Sequence, residues 1–234
     1  MKGKGTRLTA LLAALLCLAC PVLALAEAPE WRLVTDRDGV RVYMAHSDDS
    51  PIKTFRGEVE VAMTDFRSIG NQLDDYQFVT GWMHMISSIE DLHRSSGIER
   101  QIWVTTRLPW PVSNRDAALD LTLTQDPDTH AVIIAYTDND QLLPKQDGYV
   151  RMPDLNGRLQ FTPIAPGRVH VSFEVVLDPG GYIPTWIANL ILRDIPYFSL
   201  RRYQRVADQE QFRGKDTGYY RVPPGWPGAT EAAP

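Results

Sequence analysis

The sequence predicts an α+β domain in which a series of antiparallel strands is closed by one long C-terminal helix. Three observations carry that expectation. Most of the chain after residue 39 falls into short segments of alternating apolar and polar residues, separated by turn-rich stretches such as "SSG", "DPDTH" and "APG". One late segment, following Pro179-Gly180-Gly181, is long, helical in its periodicity and unusually apolar. No repeat or low-complexity segment interrupts the chain, and its 234 residues suit a single domain after a leader.

The N-terminus reads as a secretory leader. Lys2, Lys4 and Arg7 form a positive start, an apolar run follows, and Ala24-Leu25-Ala26 supplies the small-x-small cleavage pattern, placing the cut before Glu27 and the signal peptide at residues 1–26. Pro21 within the run and the lack of a stop-transfer flank argue against a retained membrane helix. A lipoprotein anchor at Cys20 is the minor alternative; Ala19 suits it, but Cys17 stands where a leucine-like residue is usual. The expected location is therefore outside the cytoplasm, in the periplasm first and as a secreted or anchored protein second. Cleavage removes both cysteines, so the mature chain has neither disulfides nor thiolate metal sites. It also removes three positive charges from a chain whose formal net charge is already −5, a poor balance for a nucleic-acid binder.

Taken in order, "EWRLVTD" reads as a short helical lead-in anchored by Trp31. "GVRVYMA", after Asp38-Gly39, and "TFRGEVEV" alternate as half-buried strands do. "MTDFRSIGNQLDD" is expected as a helix, with Thr64 as N-cap and Phe66, Ile69 and Leu73 on one face. Strands follow at 83–93, 98–107, 113–124, 131–137, 155–164 and 168–178. In the final helix Pro184 suits the first turn, while Ile183, Ile187, Leu190, Ile191, Asp194 and Phe198 trace a largely apolar stripe and Pro196 should kink it. Residues 213–234, rich in Pro and Gly, read as a flexible tail in which Trp226 makes only a loose surface contact. The body, residues 27–212, is the expected domain.

Four features, in order, resemble the START lipid-transfer domains, named for the steroidogenic acute regulatory protein: Trp31 ahead of "DGVRVY", Asp75 ahead of Trp82, "PWPVSNRD" and "DPGGYIPTWIANLILRDIP". The resemblance spans residues 31–206 and suggests a bacterial-type exported member. It implies a helix-grip fold: a curved antiparallel sheet whose last helix lies across it as a lid over a hydrophobic tunnel holding one lipid. The "LPWPVS" stretch would be an omega-type loop beside the lid, with Trp110 at the mouth. Leu108, Trp110, Tyr182, Ile183 and Trp186 are the expected mouth residues, and Pro179, Gly180 and Gly181 the hinge.

Strand parity puts Ala117, Leu119, Leu121 and Leu123 on one face of the 113–124 strand, with Ile102 and Val104 on its neighbour. The expected ligand-binding residues are Ile102, Val104, Ala117, Leu119, Leu121, Leu155, Ile187 and Ile191. Cholesterol-type relatives bury a carboxylate and an arginine at the positions equivalent to Ile102 and Leu121, so that pair is missing here. The choline-caging rings of the phosphatidylcholine transfer protein map onto Val104, Ala117 and Leu155, none of which can make a cation–π contact. Arg115 and Asp116 are expected as a structural pair fastening strands and loop, with head-group binding by Arg115 the alternative reading. Arg100 is expected as a solvated surface residue.

No Gly-x-Ser-x-Gly elbow, phosphate-binding loop, dinucleotide fingerprint or His-Glu-x-x-His occurs. His84 and His93 fall on opposite strand faces, and His46, His130 and His170 read as surface or hydrogen-bonded histidines. The sequence therefore predicts a monomeric, non-enzymatic carrier without metal, cofactor or catalytic residues. Its partners would be a lipid or other hydrophobic small molecule and, transiently, a membrane surface. A small cavity enzyme, cyclase- or hydrolase-like, and a protein-interaction module are the alternatives.

Overall fold

The computed structural model describes residues 30–46, 53–183 and 185–229, the side chains of 46 and 185–190 excepted. Residues 1–26, expected as a leader, and the side chains of Trp186, Ile187 and Leu190 lie outside the described residues. The strands are β1 (Trp31–Arg37), β2 (Val40–His46), β3 (Lys53–Ala62), β4 (Ile86–Arg94), β5 (Glu99–Thr106), β6 (Asn114–Gln125), β7 (Val132–Asp138), β8 (Tyr149–Arg151), β9 (Asp154–Ala165) and β10 (Arg168–Asp178). Two short helices, α1 (Ser68–Asp74) and α2 (Tyr76–Trp82), bridge β3 and β4, and α3 (Thr185–Val206) ends the main body. A single sheet runs β1-β2-β3-β10-β9-β7-β6-β5-β4, antiparallel along this path, with β8 pairing parallel to β6. Helix α3 packs against β3, β2 and β10, giving a curved sheet gripped by one helix.

Alternation builds the core. Strand β10 buries Val169, Val171, Phe173, Val175 and Leu177 while the intervening residues remain more open, as a period of two requires for a sheet covered on one face. Hairpin β1–β2 turns through Asp38 and Gly39, both at positive φ. The helix is fastened to that hairpin: the Tyr197 hydroxyl donates to Asp38 Oδ2 at 2.5 Å, and the Arg37 Nε donates to the Tyr197 oxygen at 2.7 Å. Tyr197 donation, more than the nearby Arg201 and Arg37 charges, holds the Asp38 carboxyl below its ordinary range.

Helix and sheet approach each other closely at Gly57 on β3. A Cβ there would lie 2.7 Å from Leu200 Cδ1 and 2.9 Å from Pro196 Cβ. The missing side chain is what lets α3 sit so near the strand, and the helix C-terminal half is correspondingly buried at Leu200 and Tyr203.

Several expectations need correction. The segment "WRLVTDR" is an edge strand rather than a helical lead-in, because its pairing with β2 outweighs local helical character. Thr64 does not cap α1, which begins at Ser68; its backbone N–H and hydroxyl instead donate to Asp208 Oδ1 and Oδ2 at 2.8 and 2.6 Å. The run expected as a strand from residue 83 starts at Ile86, and the preceding residues close α2, a helix capped by Asp75 accepting from the Phe78 N–H at 2.9 Å. The C-terminal segment through residue 229 packs on the body. Phe66 makes edge contacts with Tyr220 and Trp226, the Tyr220 hydroxyl donates to the Phe66 carbonyl at 2.8 Å, and Trp226 is only 5% exposed. Pro and Gly there shape a strap of turns that carries aromatic anchors.

Two stability changes follow. Gly57→Val should force α3 off the sheet and cost about 1–3 kcal/mol, an overpacking penalty read as a lowered Tm in thermal denaturation. Trp226→Ala should destabilise by about 3 kcal/mol in urea titration, the usual cost of emptying a buried aromatic site. An unpacked tail would give no change there.

Candidate functional site

Between the sheet and α3 lies a cavity of about 170 Å³ with an almost wholly apolar wall. Its wall on β6 runs from Arg115 to Leu123, eight residue steps and so about 25 Å of strand. Ile102 and Val104 of β5, Leu119 and Leu121 of β6, Leu155 of β9 and Ile191 of α3 all line it. Ala117 does not. It is fully buried opposite Val104 in the sheet, but its methyl is absent from the cavity wall. Ile187 belongs to α3, and its side chain lies outside the described residues.

The wall also has contributors that the sequence reading passed over. Phe173, Val175 and Leu177 come from β10, and Trp82, Met83 and Met85 from the end of α2 and its exit. The alternation of β10 was a sufficient signal for its three; the α2 exit was hidden by being read as strand.

At one end of the cavity, Leu108 reaches the wall while Trp110, two residues on, is 92% exposed. The loop is closed by the Val112 N–H donating to the Pro109 carbonyl at 3.0 Å and the Leu108 N–H donating to Asn114 Oδ1 at 3.3 Å. Tyr182 is 94% exposed and Ile183 half-buried; the Trp186 side chain lies outside the described residues. Gly180 and Gly181 have φ of +61° and +64°, a region other residues occupy at a steric cost. A Cβ on Gly180 would also lie 2.8 Å from Pro153 Cδ.

Arg115 and Asp116 do not pair with each other; they point to opposite faces of β6. On the outer face Asp116 accepts from Trp103 Nε1 at 3.0 Å and from Arg151 Nε and Nη2 at 3.1 and 2.9 Å. Arg151 also reaches Asp140 and the Leu143 carbonyl, so the 139–152 loop is tied to the sheet. On the cavity face Arg115 donates through Nε to the Pro179 carbonyl at 3.1 Å, through Nη2 to the Gly180 carbonyl at 3.0 Å, and through Nη1 to the Ser113 carbonyl. Burial lowers the pKa of its guanidinium.

Arg100 also lines the cavity, toward its other end. The expectation of a solvated residue is corrected: it is 4% exposed, forms an ion pair with Asp74 at 2.5 Å and donates to the Leu73 and Gly97 carbonyls. Its sequence context gave no sign of this, because the partner lies in α1 and the covering Tyr219 ring comes from the C-terminal strap. His84 lines the cavity beside Phe198, and its backbone N–H donates to Ser199 Oγ at 2.9 Å. Among the described residues, no Asp or Glu lines the cavity.

This geometry defines a helix-grip domain with an apolar cavity between sheet and helix. No protein-family model matches the chain. Over 185 residues it is 29% identical to an uncharacterized protein of Pseudomonas aeruginosa, covering 79% of this chain and 90% of that one. It is 22% identical over 175 residues to the phosphatidylcholine transfer protein of Bos taurus, covering 72% and 80%. Among solved structures, the STAR-related lipid transfer protein of Xanthomonas axonopodis superposes with a TM-score of 0.68 at 28% identity, covering 76% of this chain and 99% of that one. The chain has the helix-grip fold of the START domains.

Burial pushes the His84 pKa below its ordinary 6.5, assisted by the Arg202 charge. The unfolded chain therefore binds the proton more readily than the folded one, and stability present at neutral pH declines as the pH falls through and below 6.5. His84→Phe should flatten that part of a stability-versus-pH profile measured by urea denaturation between pH 7.5 and 5; an unchanged slope would place the proton uptake elsewhere.

Proposed function

We propose that the protein binds one lipid-like molecule in this channel and carries it between membranes or to a partner, without altering it chemically. The observation that carries the reading is the cavity itself: an apolar space between the sheet and α3, with no carboxylate in its wall among the described residues. An apolar molecule leaving water for such a wall gains about 25 cal/mol for each Å² it buries. The names of the relatives support the reading, since one is a STAR-related lipid transfer protein and another transfers phosphatidylcholine. The equivalents of the latter's choline-caging rings, Val104, Ala117 and Leu155, are aliphatic, so a phosphocholine head would find no cation–π partner at those positions.

Loading requires the channel to open, and a membrane lowers the cost by giving exposed apolar surface an apolar neighbour. Trp110 and Tyr182, both standing in solvent at the mouth, suit an interfacial role because each ring combines an apolar body with a polar atom. The leader-like start makes export part of the same proposal, with the periplasm as the working compartment and the monomer as the working form. A cavity enzyme would need an acid–base arrangement on the wall, and among the described residues no Asp or Glu lines the wall beside His84.

Native mass spectrometry of freshly purified mature protein should show a bound apolar molecule, and the protein should speed transfer of labelled lipid between vesicles. A chain that never retains such a ligand and moves none defeats the proposal. Trp110→Ala should slow vesicle transfer several-fold while shifting Tm by no more than about 2 °C, because so exposed a ring makes few stabilising contacts. A large loss of Tm with unchanged transfer per folded molecule would assign the ring to packing instead.

A further inference from the structure

Three arginines are buried in the described structure, and two of them have carboxylate partners: Arg100 with Asp74, and Arg151 with Asp116 and Asp140. Arg115 is the third. It is 2% exposed and lines the channel, and no carboxylate among the described residues lies within ion-pair distance of it. Its three acceptors are backbone carbonyls, of Ser113, Pro179 and Gly180. Carbonyl dipoles solvate a guanidinium but leave its net charge uncompensated, and an unpaired charge at an apolar wall carries a large desolvation cost.

The donor inventory points the same way. A guanidinium has five N–H groups, and the three bonds use one on Nε, one on Nη1 and one on Nη2. One N–H on each terminal nitrogen remains, an arrangement matched to two oxygens of a single oxyanion. The other cationic candidate on the wall is already committed, since Arg100 spends its donors on Asp74 and two carbonyls.

We propose that Arg115 is the head-group site and that the ligand is an anionic amphiphile: one apolar chain lying along the channel, with an oxyanion (carboxylate or phosphate) at the mouth. The inference rests on the lipid-binding reading above and adds the ligand's charge and direction to it. The far end of the chain would lie toward Leu121 and Leu123, where the wall of β6 is apolar. The same guanidinium holds the Pro179 and Gly180 carbonyls, so a bound head group reinforces the segment that leads into α3. Occupancy and closure are thereby linked through one side chain.

The test compares hexadecanoic acid, hexadecyl phosphate, hexadecan-1-ol and methyl hexadecanoate at pH 8, each displacing an apolar fluorescent probe from the mature protein. The acid or the phosphate should bind about 10- to 100-fold more tightly than the two neutral molecules, the range expected for charge-assisted hydrogen bonds. Whichever is tighter identifies the head group. In Arg115→Gln the preference should vanish while the neutral molecules bind as before, and Arg115→Lys should restore part of it. Should the glutamine variant fail to fold, the four-way comparison on the unaltered protein still decides. Equal binding of charged and neutral molecules overturns the inference and leaves the lipid-binding reading standing. A preference that survives in folded Arg115→Gln overturns it too. Binding of none of the four overturns the lipid-binding reading beneath it.

Discussion

The pleat of β6 at Arg115 and Asp116 governs how the cavity face and the outer face of the sheet are each secured. Neighbouring strand residues point to opposite faces, so a cation and an anion adjacent in sequence become separated by the sheet itself. Each must find its own partners. Asp116 takes Trp103 and Arg151 on the outer face, and through Arg151 secures the 139–152 loop; parallel pairing of β8 with β6 and the Met152 N–H donating to the Asp116 carbonyl at 2.9 Å complete that attachment. Arg115 takes the carbonyls that precede α3. The two secured segments then meet, since Gly180 packs against Pro153 closely enough to leave no room for a side chain. A slip of one residue in the β6 register would turn the carboxylate into the channel and the guanidinium away from it, stranding both charges.

The C-terminal half of α3 is fixed by side chains of many kinds: Leu200 seated over Gly57, Tyr197 bonded to the β1–β2 turn, and Tyr203 donating to Gln72 at 2.7 Å while Gln72 donates to the Ala207 carbonyl at 2.7 Å. Ile191 and Leu192 are buried against the cavity. The segment that leads into the helix is held by the guanidinium of Arg115 on the Pro179 and Gly180 carbonyls, and Gly180 and Gly181 both have positive φ.

What could be read from the sequence was what local pattern encodes. The alternation of 168–178 and the proline-bracketed loop before β6 specified strand, face and motif, and the apolar stripe of the last helix specified the lid. Features made by long-range partners were not legible. Trp31 begins a strand only because β2 lies beside it. Arg100 looks like any arginine in an alternating segment until Asp74 arrives from α1. The strap after Gly214 has the composition of a loose tail, yet Tyr220 and Trp226 find Phe66, and Tyr219 donates to Asp74 at 2.9 Å. Ala117 shows the opposite limit: parity assigned its face correctly, but only side-chain reach decides which residues on a face touch a cavity.

The channel's two arginines show two solutions to one electrostatic problem. A guanidinium against an apolar wall must recover the hydration it has lost, and Arg100 recovers it within the protein, from a carboxylate and backbone carbonyls. Its pairing leaves that end of the channel electrically quiet and joins α1 and the β4–β5 turn to the C-terminal strap through the shared Asp74. Arg115 recovers part of its hydration from carbonyls, which lower the cost of burial without cancelling the charge. The difference gives the channel a direction. Its inner end presents saturated polar groups and aliphatic side chains, whereas its mouth presents a cation whose field is screened only by dipoles. In the proposed reading, an amphiphile seated with its charge at Arg115 meets that cation, and one seated the other way meets an arginine already paired with Asp74.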